Sequence, residues 1–163
     1  RNTGRKYGRM KENENDIRTE LYRIIQYNTK LTKSNYQYFI SHINLPFIEV
    51  VDVFYWIVLR GDKIELADYI IDNKLFDINK KENYSKLLEC AFGQSTFMID
   101  EYVYYGLILN QELLDNVVSD LMEEDFCFDK GENDVFDYLV EQVQINMRGQ
   151  KIRKIKEKSK KVD

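Results

Sequence analysis

The sequence predicts an all-α fold, a short α-solenoid of about four helical hairpins. Three observations lead there. First, parts of the chain align with one another at an offset of 33 residues: Thr19, Asp52 and Ser85; Leu21, Phe54 and Leu87; Ile24, Ile57 and Cys90; Ile25, Val58 and Ala91; Leu31, Ile64 and Phe97; Tyr36, Tyr69 and Tyr102. Each set keeps its character, a capping oxygen followed by apolar or aromatic side chains at helical spacing. A period of this size marks stacked helix-pair units. Second, breakers are scarce, with one proline, Pro46, and seven glycines, which disfavours an all-β chain of tight turns. Third, 44% of the residues are apolar and 13% aromatic, enough for a core dominated by ring packing.

The elements follow in order. Thr19 reads as the N-cap of a first helix whose stripe is Leu21, Tyr22, Ile24 and Ile25. After a turn at Asn28-Thr29, Thr32 or Ser34 caps a second helix with Tyr36, Phe39, Ile40 and Ile43 inward, and Asn44-Leu45-Pro46 stops it. Asp52 caps the third helix, which points Phe54, Ile57 and Val58 inward, and Gly61-Asp62 turns the chain. The fourth runs from about Lys63 to Lys74 and buries Ile64, Leu66, Ala67, Ile70 and Ile71. Phe76 to Asn79, then Lys80 to Asn83, form a connecting loop. Ser85 caps a helix carrying Leu87, Leu88, Cys90 and Ala91. Gly93-Gln94-Ser95 leads to Met98, Ile99, Tyr102, Val103 and Tyr105, ending near Gly106. A fourth pair departs from the period: Glu112–Glu123 with Leu113, Leu114, Val117, Val118 and Leu121 inward, and Asn133–Met147 with Phe136, Leu139, Val140 and Val143. A terminal unit that leaves the consensus suits a solenoid cap.

The clearest single unit is Asp52 to Asp62 followed by Glu65-Leu66-Ala67-Asp68-Tyr69-Ile70-Ile71 and Asp77-Ile78-Asn79. It resembles an ankyrin repeat, a family whose repeat length is also 33: a capping residue, an apolar first helix, Gly at the turn, a second helix of Glu-apolar-apolar-x-Leu-Leu type, and a closing Asp-apolar-Asn. The likeness covers about residues 16–110 and is close over 52–79. The family's Thr-Pro-Leu-His is absent, with Asp52-Val53-Phe54-Tyr55 and Ser85-Lys86-Leu87-Leu88 in its place. Its small Ala pair is replaced by bulky Ile57 and Val58, though Cys90 and Ala91 keep it. Such bulk spreads neighbouring helices and leaves a generic helical repeat or a bundle as the alternative. The resemblance implies protein binding through a concave face and no catalytic residues.

Charge divides the chain. Residues 1–11 carry a net of +5 and residues 148–163 a net of +6, while 12–147 holds 11 basic and 26 acidic residues, a net of −15. The reading is a disordered basic leader at 1–11, an acidic helical-repeat domain at 12–147 and a disordered basic tail at 148–163. Met10 fits a natural start, with Arg1–Arg9 then an expression remnant. No apolar run reaches the ~18 residues of a membrane span, and no apolar segment follows the basic N-terminus as in a secretory signal. Cys90 and Cys127 lack C-x-x-C spacing and suit buried, reduced thiols, so a cytoplasmic protein is expected. Asn83-Tyr84-Ser85 is then an unused sequon.

Little points to chemistry. His42, the single histidine, stands where a helix should end and where a cation is favoured, a structural position. With Gly131 in the sixth place of a calcium loop, Phe126 would be the first ligand, so no metal is expected. Phosphate-binding glycine loops and a G-x-S-x-G elbow are missing, and neither Ser41 beside His42 nor Cys90 has the helpers of a nucleophile. Arg60-Gly61-Asp62 reads as an inter-helix turn. No enzyme activity and no cofactor are expected.

Binding is the remaining class. A body of net −15 generates a field that repels nucleic acid and speeds association with basic proteins. The expected contact uses Asp115, Asp120, Glu123, Glu124, Asp125, Asp129, Glu132, Asp134 and Asp137, with Tyr104, Tyr138 and Trp56 as aromatic anchors. A basic protein partner follows, and an inhibitor or immunity protein for a nuclease-like toxin, or a viral or phage antagonist of a host factor, suits the size and charge. Two alternatives stay open. One is nucleic-acid association through Lys151, Arg153, Lys154, Lys156 and Lys158, without aromatics for base stacking. The other is a scaffold or adaptor with no charge preference. Ile152 and Ile155 alone are too few for insertion into a membrane surface.

Overall fold

A computed structural model of the chain describes residues 13–27, 29–123 and 130–162. The basic leader, Asn28, Cys127, and the carboxylates Glu124, Asp125 and Asp129 lie outside them. Among the described residues every regular element is a helix: α1 (Glu14–Gln26), α2 (Lys33–His42), α3 (Val50–Arg60), α4 (Ile64–Asp72), α5 (Lys81–Phe92), α6 (Phe97–Tyr104), α7 (Gln111–Glu123) and α8 (Lys130–Val162). The all-α expectation therefore holds. The chain divides into two compact units, residues 1–76 and 77–163.

In the first unit α1 packs on α2, and α3 on α4. In addition α1 lies against α3 and α2 against α4. Period-related side chains therefore meet: the rings of Tyr36 and Tyr69 sit edge to face with centroids 6.3 Å apart. Leu21, Ile24 and Ile25 of α1 are buried together with Phe54, Ile57 and Val58 of α3. Each such side chain removed from water stabilises the fold by about 1.5–3 kcal/mol, which makes this apolar face the reason the short helices persist.

The helices start earlier than the capping residues read from sequence. Thr19, Asp52 and Ser85 all lie inside helices, in α1, α3 and α5. The cap of α1 is Asn13, whose side chain accepts the Asp16 amide at 2.8 Å. Glu49 and Lys80 precede α3 and α5 without a side-chain cap. Lys81-Glu82-Asn83, read as loop, forms the first turn of α5, since Lys and Glu propagate a helix well. Thr32 does cap α2, its hydroxyl accepting the Asn35 amide at 3.0 Å. Gly61 ends α3 in a left-handed conformation, φ 75°.

Two side chains reverse the expected inside and outside of α4. Ile64, read as core, is 55% exposed, whereas Lys63 is only 2% exposed. The ammonium of Lys63 donates to the carbonyls of Ile25 (3.2 Å) and Tyr27 and lies 3.3 Å from Asp62. Arg60 donates to the intervening carbonyl of Gln26 at 3.3 Å. Two cations thus cover the carbonyl end of α1, where the helix dipole is negative. The lysine must enter the interior to reach those carbonyls, and Ile64 is turned out as a result.

In the second unit α5 is the centre, packed on α6, α7 and α8, and α7 also touches α8. Leu87, Leu88, Ala91, Phe92, Tyr102, Leu113, Val117, Leu139 and Val143 fill its core. Phe92 meets Phe136 edge to face at 5.7 Å, and the buried Tyr102 hydroxyl donates to the Leu87 carbonyl at 3.0 Å. Asn79 clamps the two loops flanking α5 and α6: its amide donates to the Gly106 carbonyl (2.9 Å) while its side-chain oxygen accepts the Ile108 amide (2.8 Å). Cys90 is exposed rather than buried, and Val103 is 42% exposed, because the core side of α5 and α6 follows Leu87, Leu88, Ala91 and Met98, Ile99, Tyr102.

The largest difference is α8. The sequence reading ends it near Met147 and leaves residues 148–163 without structure, yet the helix continues to Val162. That stretch contains no proline, a single glycine (Gly149), and a run of Lys, Arg, Ile and Glu, mostly good helix formers.

Candidate functional site

The residues named from sequence fall into several settings. Trp56 belongs to the first unit, on α3, half-buried between Tyr22 (ring centroids 6.4 Å apart) and Tyr55 (5.5 Å). The acidic residues belong to the second. Asp115 is exposed on α7 and accepts a hydrogen bond from Gln111 at 2.8 Å. Asp120 is half-buried and accepts the Ser85 hydroxyl, so it ties α7 to α5. Glu123 is exposed at the end of α7. Glu132 lies on α8, beyond the described side chains, while Asp134 and Asp137 are exposed there. With Tyr138 and Glu141 they form one stripe, at spacings of three, four and seven residues. Tyr138 donates to Asp100 of α6 at 2.6 Å, and this bond, with lesser help from burial, holds its phenol above the ordinary range. Tyr138 is therefore partly engaged within the unit. Tyr104 is 76% exposed, its ring edge to face with Tyr105 at 5.1 Å.

The basic residues Lys151, Arg153, Lys154, Lys156 and Lys158 are all exposed on the last turns of α8. They leave the helix on several sides, and Ile145, Ile152 and Ile155 form a narrow apolar stripe between them, 45–59% exposed.

A different feature was missed from sequence. Between α1 and α3 lies a cleft of about 160 Å³, walled by Leu21, Tyr22, Ile48 and Val53, with Arg18, Glu49 and Asp52 at its edge. Asp52, Val53 and Trp56 share one face of α3 through spacings of three and four, with Glu49 just ahead of the helix, and Arg18 and Tyr22 share a face of α1. Burial, and then the carboxylates of Asp52 and Glu49, raise the Tyr22 phenol above its usual pKa. Arg18 is held from both sides: its guanidinium donates to Asn15 and, across on the segment leading into α3, to the Phe47 carbonyl, both at 3.2 Å, and lies 5.0 Å over the Phe47 ring. The signal available in the sequence was the Glu49-x-x-Asp52-x-x-x-Trp56 spacing, obscured by reading Asp52 as a cap.

His42 ends α2, with its Nδ1 2.7 Å from the Tyr38 carbonyl and its ring stacked on Tyr38 at 3.9 Å. Among the described residues no group of three or more His, Cys, Asp or Glu side chains is placed to hold a metal ion. No helix among them is long and apolar enough to cross a membrane. No family model matches the chain, and no curated protein or solved structure matches it.

Proposed function

We propose that this chain is an ankyrin-like α-helical repeat protein, a short cytoplasmic solenoid that binds a basic protein partner and inhibits it. The observation that carries this reading is the packing of period-related elements in the first unit, α1 on α3, α2 on α4 and Tyr36 on Tyr69. Helix pairs that bury their apolar faces only against neighbours leave an extended outer surface for capture. The charge of that surface selects the partner: a net of −15 over residues 12–147 steers basic proteins and repels polyanions. An immunity protein for a nuclease-like toxin, or a viral or phage antagonist of a host factor, is the biological setting that suits this chemistry.

The test is binding by the full chain. Immobilised protein should retain a basic protein from the cell it comes from, with an association rate that falls about tenfold or more as salt rises to roughly 0.3 M. Neutralising the stripe with Asp134→Asn, Asp137→Asn and Glu141→Gln should weaken it further. Binding that ignores both salt and these substitutions would leave the scaffold reading in its place.

A second reading has one observation in its favour. Residues 148–160 form an exposed helix carrying seven cations against one carboxylate, Glu157. Such a helix can neutralise phosphates without reading bases. If it does, deleting 148–163 removes filter-bound duplex DNA or RNA, and the intact chain loses affinity steeply between 50 and 200 mM salt, as about six contacts require. Unchanged retention on deletion excludes it.

A further inference from the structure

We propose that the cleft between α1 and α3 receives one cationic side chain, a lysine ammonium or an arginine guanidinium, from the bound partner. This rests on the protein-binding reading above and assigns it a specific pocket. Three features of the cleft agree on that ligand. Its volume of about 160 Å³ is the space of about five waters, the bulk of an aminobutyl or guanidinopropyl group. Its walls, Leu21, Ile48 and Val53 with the ring of Tyr22, suit the apolar stem of such a side chain. Its edge carries the carboxylates Glu49 and Asp52, which attract a cation, next to Tyr22, whose ring packs edge to face with that of Trp56.

Arg18 is the competing cation at the edge. Its guanidinium is occupied by the Phe47 carbonyl, by Asn15, and by Glu14 at 3.7 Å. Asp52 is exposed and makes no ion pair within 4 Å among the described residues. An anion would meet two carboxylates, and a neutral apolar group would leave Asp52 to water, so the cleft discriminates for positive charge. Lysine- or arginine-rich segments are also what a basic protein presents.

The chain's one tryptophan, Trp56, packs on the cleft wall and reports occupancy directly. The full chain is titrated at low salt with capped tetralysine and tetra-arginine peptides, with tetraglutamate as the control. A saturable change in Trp56 emission is expected with both cationic peptides and none with the anionic one. Asp52→Asn should weaken the interaction about fivefold, as loss of one exposed charge pair does, and Glu49→Gln should add to the loss. Asp68→Asn, at an exposed position on α4 outside the cleft lining, should bind as the parent does. Both cleft substitutions are at exposed positions, and circular dichroism verifies that helix content is kept. A titration that is non-saturable, or equal in Asp52→Asn and parent, overturns the proposal. If a basic protein is captured but Asp52→Asn has no effect on either measurement, the pocket is wrong and the protein-binding reading stands. If the peptides bind through Asp52 while no basic protein is captured, the reading above fails instead.

Discussion

Replacing Lys63 with methionine is expected to destabilise the first unit by about 2–4 kcal/mol, lowering its melting temperature by roughly 10 °C. Methionine retains the unbranched stem and most of the volume, so the loss isolates the polar contacts of the ammonium. Those contacts satisfy the carbonyls of Ile25 and Tyr27 at the end of α1, in a place where Lys63 itself is 2% exposed and water has little access. Once the ammonium is gone, these acceptors keep their desolvation cost and lose their donor. Arg60 donates to the Gln26 carbonyl between them, from an exposed position. Denaturant unfolding followed by Trp56 emission reads this unit specifically, because the tryptophan lies in it. A shift below about 0.5 kcal/mol would mean that the lysine is not a structural cap, and the account of why Ile64 faces outward would fail with it.

The same region shows what was legible in the sequence. Helical periodicity, with turn residues, located the eight helices of the described residues to within a few residues at most ends, since each buries an apolar stripe and a stripe is visible in one dimension. The sets Leu21, Phe54, Leu87 and Ile25, Val58, Ala91 are all buried, as their shared spacing requires. Starts of helices were less legible. A hydroxyl or carboxylate ahead of a stripe looks the same whether it caps the helix or, like Ser85, lies one turn inside and bonds a neighbouring helix. Lys63 was illegible for another reason: an interior lysine is explained only by acceptors 36 to 38 residues away. The helical tail was misread because its charge suggested disorder while its propensities favoured helix. For the site, the acidic character was evident from composition. That Asp120 is committed to Ser85, or that Glu49, Asp52 and Tyr22 border one cleft, depends on how α5 meets α7 and α1 meets α3.

Phe54→Ala should carry the largest cost, about 3–5 kcal/mol, and its comparison with Ile64→Ala tests the repeat register itself. Phe54 is fully buried, and its ring meets Phe76 at 5.1 Å. Truncation removes the transfer energy of a whole ring and leaves a void beside Phe76. Ile64 belongs to an equally regular 33-residue set with Leu31 and Phe97, yet it is 55% exposed and Phe97 43% exposed. Its truncation should therefore change stability by no more than about 0.5 kcal/mol. Both positions satisfy the same sequence period, so the period alone assigns them equal weight. Their packing separates them: Phe54 is buried on α3, while Ile64 is turned out of α4 where Lys63 reaches the end of α1. Equal losses at the two sites, measured as shifts in the denaturant midpoint with an unchanged slope, would show that the helices of this unit meet on a different face, and the cleft between α1 and α3 would have no basis.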